Sequence, residues 1–195
     1  MSIKTISEET FEEFCSINKI KLQKINESVK ASPDYEAIIN GKKFIFEIKQ
    51  LDKDIRRADG SWSLIPGSEI RKVIRKKNRQ VKNSALRGFP TILLIYNNFD
   101  ALQLLGTDQH DFTAAMYGKL TLLMDKTSIK VIDTYHGKND KCQPNTNTSF
   151  SAIGGIYKRG GSPQIEIYEN VYAKVPIDYA SLPSSINAHR IDLQN

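Results

Sequence analysis

Two carboxylates and a lysine, at Asp34, Glu47 and Lys49, stand on either side of a turn signal. Asn40-Gly41 separates residues 34–39 from residues 42–50. Such a pair between runs rich in β-formers is a strong indication of a hairpin. A two-residue turn at this pair places Asp34 opposite Glu47. Because the Cβ atoms of directly opposed residues lie about 5 Å apart, the hairpin would bring the two carboxylates together.

Alternation along a strand puts Lys49 on the same face as Glu47 and turns Phe44, Phe46 and Ile48 toward a core. Two facing carboxylates repel unless a positive charge lies between them. Mg²⁺ would relieve this repulsion, since it binds one or two protein carboxylates, retains several waters and bridges to phosphate oxygens. A bound cation lowers the pKa of its water, and a lysine can orient that water or offset transition-state charge. The pattern therefore predicts metal-dependent hydrolysis of a phosphodiester.

Pro33-Asp34, followed by Glu47-Ile48-Lys49, resembles the motif of the PD-(D/E)xK nuclease superfamily, which includes restriction enzymes, Holliday junction resolvases and repair nucleases. The resemblance implies that Asp34 and Glu47 bind Mg²⁺, with the Ile48 backbone carbonyl as a third ligand. It implies that Lys49 is the catalytic lysine and that Mn²⁺ can replace Mg²⁺.

Members of this superfamily often carry one more acidic ligand in the helix before the motif. Glu8 fits this position best, and Glu12 is the second choice. Gln50, directly after the lysine, also matches many members and is a further candidate. A simpler interpretation stays open, in which Asp34 starts a turn while Glu47 and Lys49 form a surface pair on a solvated strand.

A basic segment follows between Glu69 and Arg87, and Glu69 is its only acid. Its hydrophobic spacing predicts a helix over residues 69–86. Such a helix suits a phosphate backbone, because neutralised phosphates release counterions. We expect nucleic acid as the partner, with DNA favoured over RNA, and we expect it to contact Arg71, Arg75, Lys76, Arg79 and Lys82. Gln80 or Arg79 could face the active site, and a merely solvated outer face remains an alternative.

The remaining elements predict one α/β domain over residues 1–195. A helix starts near Ser7, a polar loop with Trp62 spans residues 51–67, and an apolar run at 91–96 predicts a buried central strand. This order of helix, antiparallel hairpin, helix and central strand predicts a restriction endonuclease-like core at about residues 7–135. Residues 150–175 are expected to form an added antiparallel hairpin, and residues 178–195 a peripheral tail.

The amino-acid composition further restricts the kinds of protein this chain can be. The chain has 195 residues, a net charge of +6 and 39% hydrophobic residues, which is enough for a folded core. It contains no apolar run long enough to span a bilayer and no N-terminal signal pattern, so we expect a cytoplasmic protein with reduced Cys15 and Cys142. Whether it forms a homodimer is left open. A non-catalytic module of the same fold, binding nucleic acid or protein in a defence or toxin system, is the alternative function.

Overall fold

The computed structural model describes residues 4–25, 32–52, 65–137 and 139–193. It is an α/β fold around a mixed seven-stranded sheet with the strand order β1-β2-β3-β4-β7-β8-β9. The helices are α1 (Ile6–Ile17), α2 (Ser68–Leu86) and α3 (Gln109–Tyr117). The strands are β1 (Lys21–Lys24), β2 (Tyr35–Ile39), β3 (Lys42–Leu51), β4 (Thr91–Asn97), β5 (Leu120–Met124), β6 (Val131–His136), β7 (Ala152–Tyr157), β8 (Gln164–Glu169) and β9 (Ile186–His189).

Helices cover both faces of the sheet. Phe44, Phe46 and Ile48 of β3 pack with the α1 residues Phe11 and Phe14 in one buried cluster. Alternate residues of β4 turn to the other face and pack with α2 and α3 in a second cluster. All seven residues of β4 are buried, as the continuous apolar run predicted for a central strand.

The predicted hairpin is confirmed, including its register. Ala37 pairs with Phe44 and Ile39 with Lys42, and the antiparallel ladder ends at Tyr35 opposite Phe46. Asn40 and Gly41 both have positive φ, 48° and 76°. This is the condition of the tight turn whose twist matches that of two antiparallel strands. The turn therefore fixes which residues of β2 and β3 lie opposite each other.

The antiparallel hairpin expected over residues 150–175 is present as β7 and β8, but it belongs to the central sheet rather than being added to a smaller core. Strand β7 lies inside the central sheet, parallel to β4, and β8 is antiparallel to β7. The expected peripheral tail supplies β9, which pairs with β8 in parallel, and its Ile186 joins the core. Only β5 and β6 form a separate antiparallel sheet within the described residues. Parallel partners are distant in sequence, so local patterns do not reveal them.

The start of α2 is fixed against α3. Gly67 precedes the helix with φ +69°, and a Cβ there would lie 2.6 Å from the Asp111 carbonyl oxygen. Its N–H instead donates to Asp111 Oδ1 at 2.8 Å. Arg71 donates to the carbonyl oxygens of Ala114 and Pro66. These contacts hold the start of α2 against α3.

Two expectations from composition can be compared with the described residues. No helix among them combines the length and apolarity that crossing a membrane requires. Cys15 and Cys142 are both free and buried. Burial raises the pKa of each thiol to about 12, so both are protonated at neutral pH.

Candidate functional site

Glu47 lies in the interior, on the face of β3 that α2 covers. Its side chain is 0% exposed, although the sequence alone allowed a surface pair with Lys49. The surface-pair interpretation is therefore wrong for Glu47. Neither of its carboxylate oxygens accepts a well-directed hydrogen bond from the residues described. A buried carboxylate is costly without a positive partner, so this position needs a specific explanation.

Lys77 of α2 supplies a positive charge to Glu47. Its Nζ lies 2.6 Å from Glu47 Oε1, and its side chain is 21% exposed. Lys77 belongs to the basic segment between Glu69 and Arg87, but it was not among the residues predicted for the site. The buried position of Lys77 could have been predicted from the sequence, because Lys77 lies four residues from Val73 and four from Val81, on the face that α2 buries. A lysine on such a stripe indicates a buried acidic partner.

Asp34 directly precedes β2, next to β3. Its N–H donates to the Phe46 carbonyl oxygen, and its Oδ2 accepts the Ile48 N–H at 2.7 Å. The N–H and C=O of one strand residue point to the same edge, so the Ile48 carbonyl also points toward the edge where Asp34 lies. Asp34 thus lies beside β3, where it is bonded to Phe46 and Ile48, just beyond the end of the paired register.

The two carboxylates influence each other electrostatically. Burial, followed by the charge of Asp34, raises the pKa of Glu47 to about 7, although Lys77 and Lys49 act to lower it. Burial also raises the pKa of Asp34, against the lowering effect of the Ile48 N–H. The charge of Asp34 therefore acts on the Glu47 carboxyl, and the charges of Lys77 and Lys49 oppose its effect.

Lys49 is half-buried and borders a small cavity between β3 and α2. The cavity measures about 120 Å³. Leu51 and Val73 form its apolar part, and the charged residues around it are Lys49, Glu69, Lys72, Lys76 and Lys77. Lys72 pairs with Glu69 and Lys77 with Glu47, so Lys49 and Lys76 are the ammonium groups that make this cavity electropositive and suited to an anion.

Glu8 and Glu12 of α1, the candidates for a further metal ligand, both have hydrogen-bond partners already. Glu8 forms a capping box with Thr5 and accepts Lys24 Nζ at 2.6 Å. Although burial raises the pKa of Glu8, the hydrogen bonds from Lys24 and Thr5 outweigh it and lower the pKa overall. Glu12 accepts the Tyr35 hydroxyl at 2.9 Å. Glu8 is close enough to raise the pKa of Asp34, but its oxygens already have partners.

The two candidate glutamines are placed differently. Gln50 Oε1 accepts the Ser7 N–H at 3.0 Å, so its amide joins β3 to the start of α1, on the face opposite to Lys49. Gln80 Nε2 donates to the Ser32 carbonyl oxygen, two residues before Asp34. Of Arg79 and Gln80, it is thus Gln80 that reaches the site, while Arg79 is exposed.

The five basic residues of α2 that were expected to contact nucleic acid divide into three groups. Arg71 donates hydrogen bonds to carbonyl oxygens of neighbouring segments. Contrary to our expectation, it is therefore not available to a phosphate. Lys76 borders the cavity beside Lys49. Arg75, Arg79 and Lys82 are exposed on the solvent side of the helix. Trp62 lies outside the described residues.

The donor set fits a hard divalent cation. Asp34, Glu47 and the Ile48 carbonyl offer oxygen ligands, and the Glu47 oxygens lack well-directed hydrogen bonds within the described chain. No group of three or more His, Cys, Asp or Glu side chains in the described ranges could hold a metal ion. The additional acidic ligand expected from α1 is therefore not brought in. Mg²⁺ commonly needs only one or two carboxylates and completes its shell with water.

Comparisons with known protein families, with curated proteins and with solved structures gave no match to this chain.

Proposed function

We propose that this protein is a Mg²⁺-dependent endonuclease that hydrolyses phosphodiester bonds of nucleic acid, with DNA favoured over RNA, on a restriction endonuclease-like core. The observation that carries the proposal is that the Glu47 carboxylate is buried beside Asp34, with Lys77 and Lys49 close to it. The order α1, β2–β3 hairpin, α2 and β4 also agrees with that core.

Each group has a distinct role in this proposal. Asp34, Glu47 and the Ile48 carbonyl hold the cation, which supplies an activated water and screens the phosphate. Lys49 orients the attacking water and offsets negative charge in the transition state. The electropositive cavity beside Lys49 receives the phosphate, and Lys76 at its border contributes to binding.

Lys77 stabilises the site when the carboxylates have no other counter-charge. Its ammonium reduces the cost of the buried Glu47 in the folded protein. Because Lys77 is partly exposed and its side chain is long and flexible, it can withdraw from Oε1 when a cation binds. The site is then electrically balanced both with and without metal.

The decisive experiment replaces Lys49 with Ala. We expect wild type to nick or linearise a supercoiled plasmid with Mg²⁺ or Mn²⁺ but not with EDTA, and Lys49→Ala to lose roughly 100-fold or more of this rate. Its stability should stay within about 0.5 kcal/mol of wild type, because Lys49 contributes no apolar packing to the core. Lys72→Ala is the matched control, since Lys72 borders the same cavity but pairs with Glu69.

A non-catalytic nucleic-acid-binding protein is the second candidate. The Lys77–Glu47 contact favours it, because an ammonium group already neutralises the carboxylate that a cation would need. This candidate predicts salt-dependent binding of DNA without cleavage. It also predicts no rise in melting temperature on addition of Mg²⁺ or Mn²⁺, whereas the nuclease predicts such a rise in wild type and its loss in Glu47→Gln.

A further inference from the structure

A second cavity lies where the end of α3 meets β6 and the segment that follows β8. It measures about 220 Å³, and the residues that line it include Tyr117, His136, Asp140 and Tyr172. We call it the aromatic cavity. It shares no described lining residue with the cavity between β3 and α2, so the proposed nuclease chemistry gives it no role.

Tyr117 forms a fixed aromatic wall of this cavity. Its side chain is buried, and its hydroxyl donates to the Glu169 carbonyl oxygen and accepts the Val171 N–H at 3.1 Å. Because both bonds hold the hydroxyl at the end of β8, the ring cannot turn freely. The ring, rather than the hydroxyl, is therefore the part of Tyr117 that a bound molecule contacts.

Two further rings stand at steep angles to the ring of Tyr117. The centroids of Tyr117 and His136 are 6.3 Å apart with their planes inclined at 65°, and those of Tyr117 and Tyr172 are 6.3 Å apart at 58°. A flat heterocycle stacks against ring faces that are parallel to it. Inclined rings instead form a box, in which a compact cation can lie within about 6 Å of a ring centroid on more than one side. The geometry therefore favours a rounded cation over a nucleobase.

Asp140 supplies a negative charge at the aromatic cavity. Among the residues that the structure describes, its carboxylate takes part in no ion pair. Lys141 Nζ is directed to the Asp140 carbonyl oxygen at 3.4 Å rather than to the carboxylate, and Gln143 Nε2 donates to Asp140 Oδ1 at 3.0 Å. The charge of the carboxylate is therefore available to a cation in the cavity.

The balance of rings and hydrogen-bond acceptors indicates which cation fits. An unmethylated ammonium has three N–H donors that each need an acceptor, whereas Tyr117, His136 and Tyr172 present rings to the cavity. His136 Nδ1 already donates to the Gly118 carbonyl oxygen at 3.2 Å, since a carbonyl can only accept. A methylated ammonium keeps its positive charge but has few or no donors to satisfy, so it loses less on leaving water. The cavity therefore favours a methylated over an unmethylated ammonium.

We propose that the aromatic cavity binds a methylated ammonium group, carried either by a trimethylated lysine of a protein or by a small quaternary amine such as choline. The rings of Tyr117, His136 and Tyr172 attract the cation through their faces, and Asp140 supplies the counter-charge. This ligand site does not depend on the proposed nuclease activity and can be tested without it.

The test titrates the full-length chain with four probes by isothermal titration calorimetry. They are choline, its uncharged isostere in which carbon replaces the nitrogen, and a short peptide that carries either trimethyllysine or unmodified lysine. We expect the methylated cations to bind, and the isostere and the unmodified peptide to bind roughly tenfold more weakly or not at all. Tighter binding of the methylated peptide than of choline identifies a protein partner, and the reverse order identifies a small molecule.

Matched variants assign the binding to this cavity. Tyr172→Leu removes a ring and should weaken binding of the methylated cation roughly tenfold, whereas Tyr172→Phe keeps the ring and should stay within about threefold of wild type. Asp140→Asn should also weaken binding, and Asp133→Asn, at an exposed position of β6 outside the cavity lining, should not. Melting curves check that each variant is folded.

Three results would overturn the proposal. Equal binding of choline and its uncharged isostere would show that the positive charge is not recognised. Equal losses in Tyr172→Leu and Tyr172→Phe would show that the ring face is not what binds. Failure of both methylated cations to bind wild type, including the case in which a nucleoside binds instead, would rule out this class of ligand.

Discussion

At the scale of single residues, the site is defined by a conflict between burial and charge. Glu47 is buried beside Asp34, and burial together with that neighbour raises its pKa to about 7. Lys77 relieves the conflict without forming a well-directed hydrogen bond to either carboxylate oxygen. Structural ion pairs are usually better saturated with hydrogen bonds than this one. The strained arrangement agrees with a site that gains stability when a cation binds.

Two substitutions of Asp34 separate the effect of its charge on stability from the effect of its hydrogen bond. Asp34→Asn removes the charge but keeps an oxygen for the Ile48 N–H, so without metal it should stabilise the protein by up to about 1 kcal/mol. Asp34→Ala also removes that acceptor, and should be less stable than Asp34→Asn by about 1–3 kcal/mol. Urea denaturation in EDTA measures both values.

The same two variants distinguish a metal site from a structural aspartate. Neither should show the stabilisation by Mg²⁺ that wild type shows, because a ligand has been lost in each. If Asp34→Asn destabilises the protein in EDTA, the carboxylate has a favourable structural partner and the repulsion argument is contradicted.

At the scale of elements, the turn and the strands that depend on neighbouring residues could be predicted from the sequence. The pairing of strands that lie far apart in the sequence could not. The Asn40-Gly41 turn fixed the register of β2 and β3, and alternation along β3 put Glu47 and Lys49 on one face. The insertion of β7 beside β4 and of β9 beside β8 joins segments far apart in sequence, which no local signal encodes. Lys77 is an intermediate case. Its spacing from Val73 indicated a buried position, but the sequence did not indicate Glu47 as its partner.

The exposed side of α2 is expected to bind the phosphate backbone. Reversing Arg75 and Lys76 to Glu should weaken DNA binding at least tenfold at moderate salt, and should reduce the slope of affinity against salt concentration, because fewer counterions are released. Titrations at two salt concentrations measure both effects. The matched control reverses the exposed Lys126 and Lys174, which lie outside α2 and carry the same total charge. Equal losses for both double variants would indicate a general charge effect rather than an interface on α2.

At the scale of the whole molecule, the positive charge is concentrated in one element. Helix α2 carries seven basic residues and one acid, a balance equal to the net charge of +6 of the entire chain. The rest of the molecule is therefore neutral as a whole, and its field toward a polyanion originates from the side that borders Lys49 and the cavity.

The buried carboxylates should make the stability of the whole protein depend on pH. Glu47 titrates near pH 7 when folded, against an ordinary value of 4.5, so between these values the folded state binds more protons than the unfolded state. Its contribution is therefore fully present below about pH 4.5, is lost as the pH rises to about 7, and amounts to roughly 3 kcal/mol. Asp34, whose pKa is also raised, acts in the same direction.

The contribution of Glu47 can be isolated by comparing wild type with Glu47→Gln. The lowered pKa values of Glu8 and the exposed Asp178 make stability change with pH in the opposite direction, but they are common to both proteins. Urea denaturation in EDTA at about pH 5 and about pH 8 should show wild type losing stability relative to Glu47→Gln as the pH rises. Mg²⁺ should restore wild type at the higher pH, because a cation favours the ionised carboxylate, and should leave Glu47→Gln unchanged. Parallel pH profiles for the two proteins would contradict the raised pKa. A wild type that loses stability with pH but does not respond to Mg²⁺ would show that the carboxylate is buried for a structural reason alone.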